Sequence, residues 1–217
     1  MPNHFSADIG VLAKMSESEL LDCLGKLPLT EDAYLEALVS MVELLRVKPK
    51  LAPAMAPFAA TTCEHFPSDT ALQLLSAIGQ VKPKFLDTVT VRNHIDKWCE
   101  RCLDYAHEDS PKSRERLVNS LEAMAVIVNA CPQSAEMYLE IAYIEYALGL
   151  DGELHKLLLS PKIIDHVSAT DLEMLEDVCA VEGSHPIFAR LNGPAEFIDM
   201  FLKASPALAK DFRPWDG

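Results

Sequence analysis

Apolar residues recur along nearly the whole chain with the spacing of one face of an α-helix. The clearest stretch is residues 93–107, where the side chains at i, i+3, i+4, i+7, i+8 and i+11 are Ile95, Trp98, Cys99, Cys102, Leu103 and Ala106. Alternation with a period of two, which is typical of strands, occurs only briefly around Val89 to Val91. The pattern therefore predicts an all-α protein.

The predicted helices have recognisable starts and short connections. They cover about 17–27, 31–47, 51–65, 69–81, 85–107, 112–130, 134–148, 169–181 and 194–203. Five starts carry a residue typical of a helix N-cap, namely Thr30, Ser68, Ser110, Ser134 and Ser168. Because the connections are short, neighbouring helices are expected to pack antiparallel as hairpins.

One hairpin turn is duplicated. Residues 47–51 read VKPKL and residues 81–85 read VKPKF, 34 positions later, and the apolar positions of the preceding helices align as well. Repeats of this length are typical of stacked helical hairpins. The sequence therefore predicts a short α-solenoid over 1–204, followed by a C-terminal arm over 205–217.

Two stretches resemble known repeat families. LLSAIGQVKPKFLDTV, residues 74–89, resembles the helical hairpins of heptatricopeptide and FAST-kinase-like organellar proteins. PQSAEMYLEIAYIEYALG, residues 132–149, resembles the first helix of a tetratricopeptide repeat, with Tyr138 in the large position and Gly149 ending the helix, although Glu145 stands at an aromatic position. The resemblance implies an α-solenoid of the class used as scaffolds and, in organelles, as RNA binders.

Charge and composition narrow the range of partners and compartments. The net charge of −14 repels phosphate backbones, so nucleic acid is not an expected partner. Every apolar run is interrupted before it reaches the length of a membrane span, so no transmembrane segment is predicted. Six scattered cysteines without a secretory leader indicate a reducing, intracellular compartment. The family resemblance favours the mitochondrion, and the cytoplasm is the alternative.

The pair Cys99 and Cys102 is the first candidate for chemistry, because His94 and His107 frame it symmetrically. In a helix, however, the two histidines would be about 20 Å apart, too far to share one metal. Both cysteines also lie in the apolar stripe, and no second CxxC or HxxxH pair occurs in the chain. Buried, reduced and metal-free thiols are therefore expected, with a redox pair as the alternative.

The lysines of the two VKPK turns are the second candidate. Lys48, Lys50, Lys82 and Lys84 occupy equivalent repeat positions and are expected to form a basic edge. RNA recognition usually adds aromatic or arginine side chains, which these turns lack. Solvated turns, or contacts to an acidic protein neighbour, are therefore the favoured interpretation over RNA binding.

Motifs of catalysis and cofactor binding are missing. The sequence has no phosphate-binding glycine loop, zinc-protease helix, nucleophile elbow or calcium loop. Ser184 precedes His185, but sequence neighbours rarely face each other as nucleophile and base, so a turn or capping role is expected. We therefore expect no catalytic residue, no cofactor and no metal, although a pocket assembled from distant residues stays open.

The two ends of the chain are rich in apolar side chains, while a solenoid that is soluble alone needs polar capping helices. The candidate interface residues at these ends are Phe5, Leu12, Phe197, Phe201, Phe212 and Trp215. The sequence therefore predicts a non-catalytic scaffold or accessory subunit that binds other protein subunits. An organellar RNA-binding module is the alternative.

Overall fold

Helices form the regular structure of the chain, as the hydrophobic period predicts. The computed structural model describes residues 9–66, 68–81, 83–86, 88–181 and 184–214, with the side chains of 63, 64, 85, 88–94 and 96 excepted. Within these ranges there is no strand, which confirms the all-α class. The α-helices are α1 (Ile9–Leu12), α2 (Glu17–Gly25), α3 (Glu31–Val47), α4 (Ala52–His65), α5 (Asp69–Val81), α6 (Thr88–Glu108), α7 (Pro111–Ala130), α8 (Leu139–Ala147), α9 (Leu154–Leu158), α10 (Ala169–Ala180), α11 (Ala195–Ala204) and α12 (Pro206–Asp211).

Serine caps begin several of these helices. Ser16, Ser110 and Ser168 each accept a hydrogen bond from the backbone N–H three residues later, in a reciprocal capping box. Ser68 accepts one from the N–H of Ala71. These contacts confirm the predicted caps at residues 68, 110 and 168. Thr30 precedes α3 as predicted but makes no side-chain cap bond.

The chain divides into two compact units, Met1–Trp98 and Cys99–Gly217. In the first unit α3 and α4 both pack on α5, α2 packs on α4, and α1 packs on α3. The buried face of α3 consists of Ala37, Leu38, Met41, Leu44 and Leu45. The domain boundary predicted at residue 204 stays a prediction.

A 3₁₀ turn follows the helix at each of the two VKPK segments; Lys82 of the second segment lies outside the described residues. α3 ends at Val47 and is followed by a 3₁₀ turn over Pro49–Leu51, and α5 ends at Val81 and is followed by one over Pro83–Phe85. Proline suits the first position of such a turn, because its φ is already near the helical value and it has no N–H to satisfy. The two segments thus share a 3₁₀ turn after a helix, and the repeat of the complete hairpins stays a prediction.

In the second unit one predicted helix start was wrong. The helix expected over 134–148 begins as a 3₁₀ segment, Pro132–Tyr138, and becomes α8 only at Leu139. Ser134 is not an N-cap; its buried hydroxyl donates to the carbonyl oxygen of Cys131 at 2.7 Å. This bond returns to the backbone three residues earlier instead of capping the turn that follows.

The end of α8 follows the prediction. Gly149 has a φ of 59°, in the left-handed region that glycine adopts without the strain other residues would have there. Its N–H donates to the carbonyl of Tyr146, and the N–H of Leu150 donates to that of Glu145, both at 3.0 Å. These two bonds are those of a Schellman motif, which satisfies the last carbonyls of the helix.

Candidate functional site

Three of the predicted interface residues belong to the core of the chain itself. Leu12, Phe197 and Phe201 are buried. A buried side chain offers no area to a partner, so the structure corrects the prediction for these three. Phe212 is half-buried, and Phe5 and Trp215 lie outside the described residues.

The C-terminal arm is partly helical and packs on its own unit. Ser205 accepts a hydrogen bond from the N–H of Leu208, and α12 contacts both α10 and α11. Leu208 is buried, and the backbone N–H of Arg213 donates to Glu173 Oε1 on α10 at 2.7 Å. Residues 205–213 therefore contribute to the packing of the second unit.

The lysines of the candidate basic edge differ in their surroundings. Lys48 Nζ donates to the backbone carbonyls of Ala13 at 2.6 Å and Met15 at 2.5 Å, just after α1. Its ammonium is thus engaged inside the first unit. Lys50 and Lys84 are exposed, and Lys82 lies outside the described residues.

The cysteine pair of α6 lies in a packed environment. Cys102 is buried, whereas Cys99 is half-buried and its Sγ lies 3.8 Å from the carbonyl oxygen of Met137. The predicted full burial of Cys99 is therefore corrected. His107 is exposed, and the side chain of His94 is outside the described set. The part of the chain that the structure describes holds no group of three or more His, Cys, Asp or Glu side chains arranged to hold a metal ion.

His185 is bonded on both ring nitrogens, and neither bond involves Ser184. Nδ1 accepts from the N–H of Ile187 at 3.3 Å, and Nε2 lies 3.3 Å from Asp104 Oδ1. An imidazole whose Nδ1 accepts must carry its proton on Nε2 when neutral, so it donates to the aspartate. This geometry fits the turn role expected for the segment.

An apolar groove has α10 on one side. On its other side lie the 3₁₀ segment Pro132–Tyr138 and α8, which follows that segment directly. Its volume is about 450 Å³. We call it the α10 groove, defined by Glu136, Met137, Leu139, Glu140, Asp171, Met174, Leu175 and Val178. Leu139 and Leu175 are buried, while Met137 and Val178 are half-buried. The groove thus has an apolar floor and accessible apolar walls.

One edge of this groove continues as an exposed apolar stripe. Met174 and Val181 are 52% and 58% exposed, and Val178 lies between them at helical spacing. The adjoining face of α10 buries Leu172 and Leu175, the second of which also forms the floor of the groove. α10 is therefore apolar on two sides, of which only one is covered by the unit itself.

Glu140 lines the groove, and its carboxyl group has a shifted pKa. Burial raises the pKa of this carboxyl above its ordinary value, and no described residue forms a hydrogen bond or ion pair with it. The nearby Cys179 thiol has its pKa raised to about 12, first by burial and second by the charge of Glu140. Cys179 is therefore a protonated thiol at neutral pH and a poor nucleophile.

A second cavity of about 560 Å³ lies beside the end of α8 and the start of α11. It is lined by Tyr143, Tyr146, Ala147, Asn192, Gly193, Ala195 and Glu196. The Tyr143 hydroxyl donates to the carbonyl oxygen of Asn192, and burial raises its pKa to about 12. Tyr143 is therefore neutral at pH 7, and its hydroxyl proton is used in a structural hydrogen bond to Asn192.

No protein-family model, curated protein or solved structure matches the chain. The resemblance to helical-repeat families accordingly stays a prediction. Among the described helices, none combines the length and apolar character needed to cross a bilayer.

Sequence reasoning missed the α10 groove, although part of its signal is readable. Met174, Val178 and Val181 follow i, i+4, i+7 spacing beside the core positions of the same helix. The second wall, with Met137, and the adjoining part of the floor, with Leu139, come from a segment more than thirty residues earlier. Only tertiary packing brings the two walls together.

Proposed function

We propose that the chain is a non-catalytic helical scaffold or accessory subunit of a larger protein assembly. The observation that carries this proposal is the α10 groove with its exposed stripe. Exposed apolar side chains that adjoin a preformed groove are typical of protein-binding surfaces. The short α-solenoid predicted over 1–204 is part of the same proposal.

The pKa values of Cys179 and Tyr143 support a binding function more than a catalytic one. Catalytic acids, bases and nucleophiles need pKa values near the working pH. Burial instead moves the pKa of Cys179 and of Tyr143 to about 12, away from neutrality. Both groups are poorly suited to proton transfer or nucleophilic attack at neutral pH.

The alternative, an organellar RNA-binding module, has less support. Lys48 uses its ammonium on two carbonyls of its own unit, which leaves fewer cations for phosphate. The net charge of −14 also opposes the approach of a polyanion. The mitochondrion is the proposed compartment on the strength of the family resemblance, with the cytoplasm as the alternative.

Mild affinity purification of the tagged full chain tests the proposal. We expect one or more proteins in fixed stoichiometry, measured by native mass spectrometry, and no measurable binding of single-stranded RNA at physiological salt. Recovery of the chain only as a monomer would contradict the scaffold function. Salt-sensitive RNA binding that Lys50→Glu and Lys84→Glu weaken would favour the RNA-binding alternative instead.

A further inference from the structure

We propose that the α10 groove binds an amphipathic helix of a partner protein, which seats apolar side chains between Met137 and Val178 and a lysine or arginine beside Glu140. This inference rests on the proposed scaffold function and names the site and the chemistry of the partner.

The shape of the groove fits the apolar face of a helix. Its volume of about 450 Å³ falls in the roughly 300–1,000 Å³ range of binding pockets. The stripe of Met174, Val178 and Val181 extends the groove along α10 for about two helical turns. A ligand helix presents its apolar residues at i, i+3 or i+4, and i+7, which matches a stripe of this length.

Methionine on both walls favours a side-chain ligand of adaptable fit. Met137 stands on the 3₁₀ segment and Met174 on α10. The unbranched thioether side chain adjusts to differently shaped apolar groups, and methionine is common at surfaces that bind amphipathic helices.

Glu140 specifies the charge of the partner. Its carboxylate is half-buried at the groove and has no described partner, so its ionised form is poorly solvated in the unbound chain. A lysine or arginine flanking the apolar anchors would give this carboxylate the cation that it lacks. Asp171 adds a second carboxylate to the groove lining.

The overall charge disfavours the other occupants of such a groove. A second copy of the chain would also carry a net charge of −14, so self-association would bring two strongly negative surfaces together. A nucleic acid is repelled for the same reason. A helix that carries both cationic and apolar side chains is attracted to the acidic chain at long range. Its apolar side chains then fit the α10 groove on contact.

Selection from a displayed library of helical peptides with randomised surface positions, using the full-length chain as bait, tests the inference. Peptides are eluted by competition and measured by fluorescence anisotropy at low and high salt. We expect enrichment of apolar residues at i, i+3 or i+4, and i+7, with lysine or arginine beside them, and an affinity that falls with salt.

Variants then locate the site. Met174→Glu and Val178→Ser should weaken the selected peptides by about tenfold or more. Glu140→Gln should weaken cationic peptides by about tenfold and leave a peptide with glutamine at the cationic position unchanged. Glu140→Lys should reverse the preference toward peptides with glutamate at that position. Val39→Ser is the matched control, since Val39 is 56% exposed on α3 of the other unit.

Several results would overturn the inference. These are a selection without enrichment, peptides that bind Met174→Glu and Val39→Ser equally, or a wild-type dimer in analytical ultracentrifugation that Met174→Glu dissociates. Circular dichroism and thermal melting of each variant separate lost binding from lost folding. If Met174→Glu still co-purifies with its assembly, the groove inference fails while the scaffold function stands.

Discussion

Glu145 and His155 form a paired contact at the start of α9. Glu145 Oε2 accepts a hydrogen bond from the backbone N–H of His155 at 2.7 Å and lies 2.7 Å from its Nδ1. Oε1 accepts from the N–H of Leu154 at 3.3 Å. Glu145 is 0% exposed, so its carboxylate caps a helix from inside the core. Burial of an acidic side chain at this position therefore has a structural role in this chain.

Removal of this internal cap should destabilise the second unit strongly. Glu145→Ala leaves the buried N–H of Leu154, the partly buried N–H of His155 and the His155 ring without their acceptor. Lost partners of this kind typically cost about 3–5 kcal/mol. Urea unfolding followed by circular dichroism measures the change. Glu153→Gln is the control, because its pair with Lys156 is exposed and should change the free energy of unfolding by less than about 0.5 kcal/mol. Similar midpoints for the two variants would contradict the internal cap.

Gly152 makes room for the Glu145 carboxylate. A Cβ atom at residue 152 would lie 1.7 Å from Glu145 Oε1, a distance that requires the carboxylate to move. Gly152→Ala should therefore destabilise by about 1–3 kcal/mol. Gly193→Ala, where a Cβ meets no atom within 4 Å, should not.

A double-mutant cycle tests the cause of that effect. In the Glu145→Ala background the clash is absent, so adding Gly152→Ala should have little further effect on the free energy of unfolding. Additive effects of the two substitutions would mean that the steric contact with Glu145 is not the reason for glycine at this position.

Glu140 should make the stability of the free chain depend on pH. Its pKa is raised in the folded chain by burial, so the folded state binds the proton more tightly than the unfolded state. The stabilisation from the protonated carboxyl is fully present below the ordinary value of 4.5 and is lost as pH rises through the raised pKa. Glu140→Gln should therefore unfold at a higher urea concentration than wild type at pH 7, and the difference should shrink toward pH 4. Glu196→Gln on α11 serves as the control.

A stabilising Glu140→Gln substitution that also weakens cationic peptides would have a clear meaning. A residue kept at the expense of stability is typical of a binding function. A variant less stable than wild type at pH 7 would show that the carboxylate is satisfied in the folded chain, against the structure.

Deletion of residues 205–217 should lower the melting temperature of the chain. The arm buries Leu208 and bonds Arg213 to Glu173, so it contributes to folding. Loss of about 2 kcal/mol corresponds to roughly 4–8 °C for a chain of this size. Differential scanning calorimetry measures it, with Lys210→Ala as an exposed control on the same helix. An unchanged melting temperature would indicate that the arm packs weakly and would restore it as a candidate interface.

The sequence predicts helices best where several local signals coincide. The ranges 31–47 and 69–81 match α3 and α5 at both ends. In each case an acidic first turn precedes a strong apolar period, and a proline follows two residues after the last helical one. By contrast, the 3₁₀ winding of Pro132–Tyr138 is invisible in the period, since i, i+3 spacing fits both kinds of helix.

The site was less predictable than the fold, because it depends on contacts between distant residues. From the sequence, Lys48 is expected to be a solvated surface lysine, yet it donates to carbonyls 35 and 33 positions earlier. Phe197 and Phe201 are residue types common at interfaces, yet their rings pack against each other in the core at a tilt of 56°, with centroids 5.1 Å apart. Local pattern gives an apolar face but does not say which element covers it.

The contact between Lys48 and the end of α1 also sets an order of events during synthesis. α1 has four residues, far fewer than an isolated helix needs to persist in water. Its anchoring ammonium follows Met15 by 33 positions. At about 5–20 residues per second, the ribosome needs roughly 2–7 seconds to make that stretch. In the nascent chain, α1 therefore gains the hydrogen bonds from Lys48 only after α3 has been made.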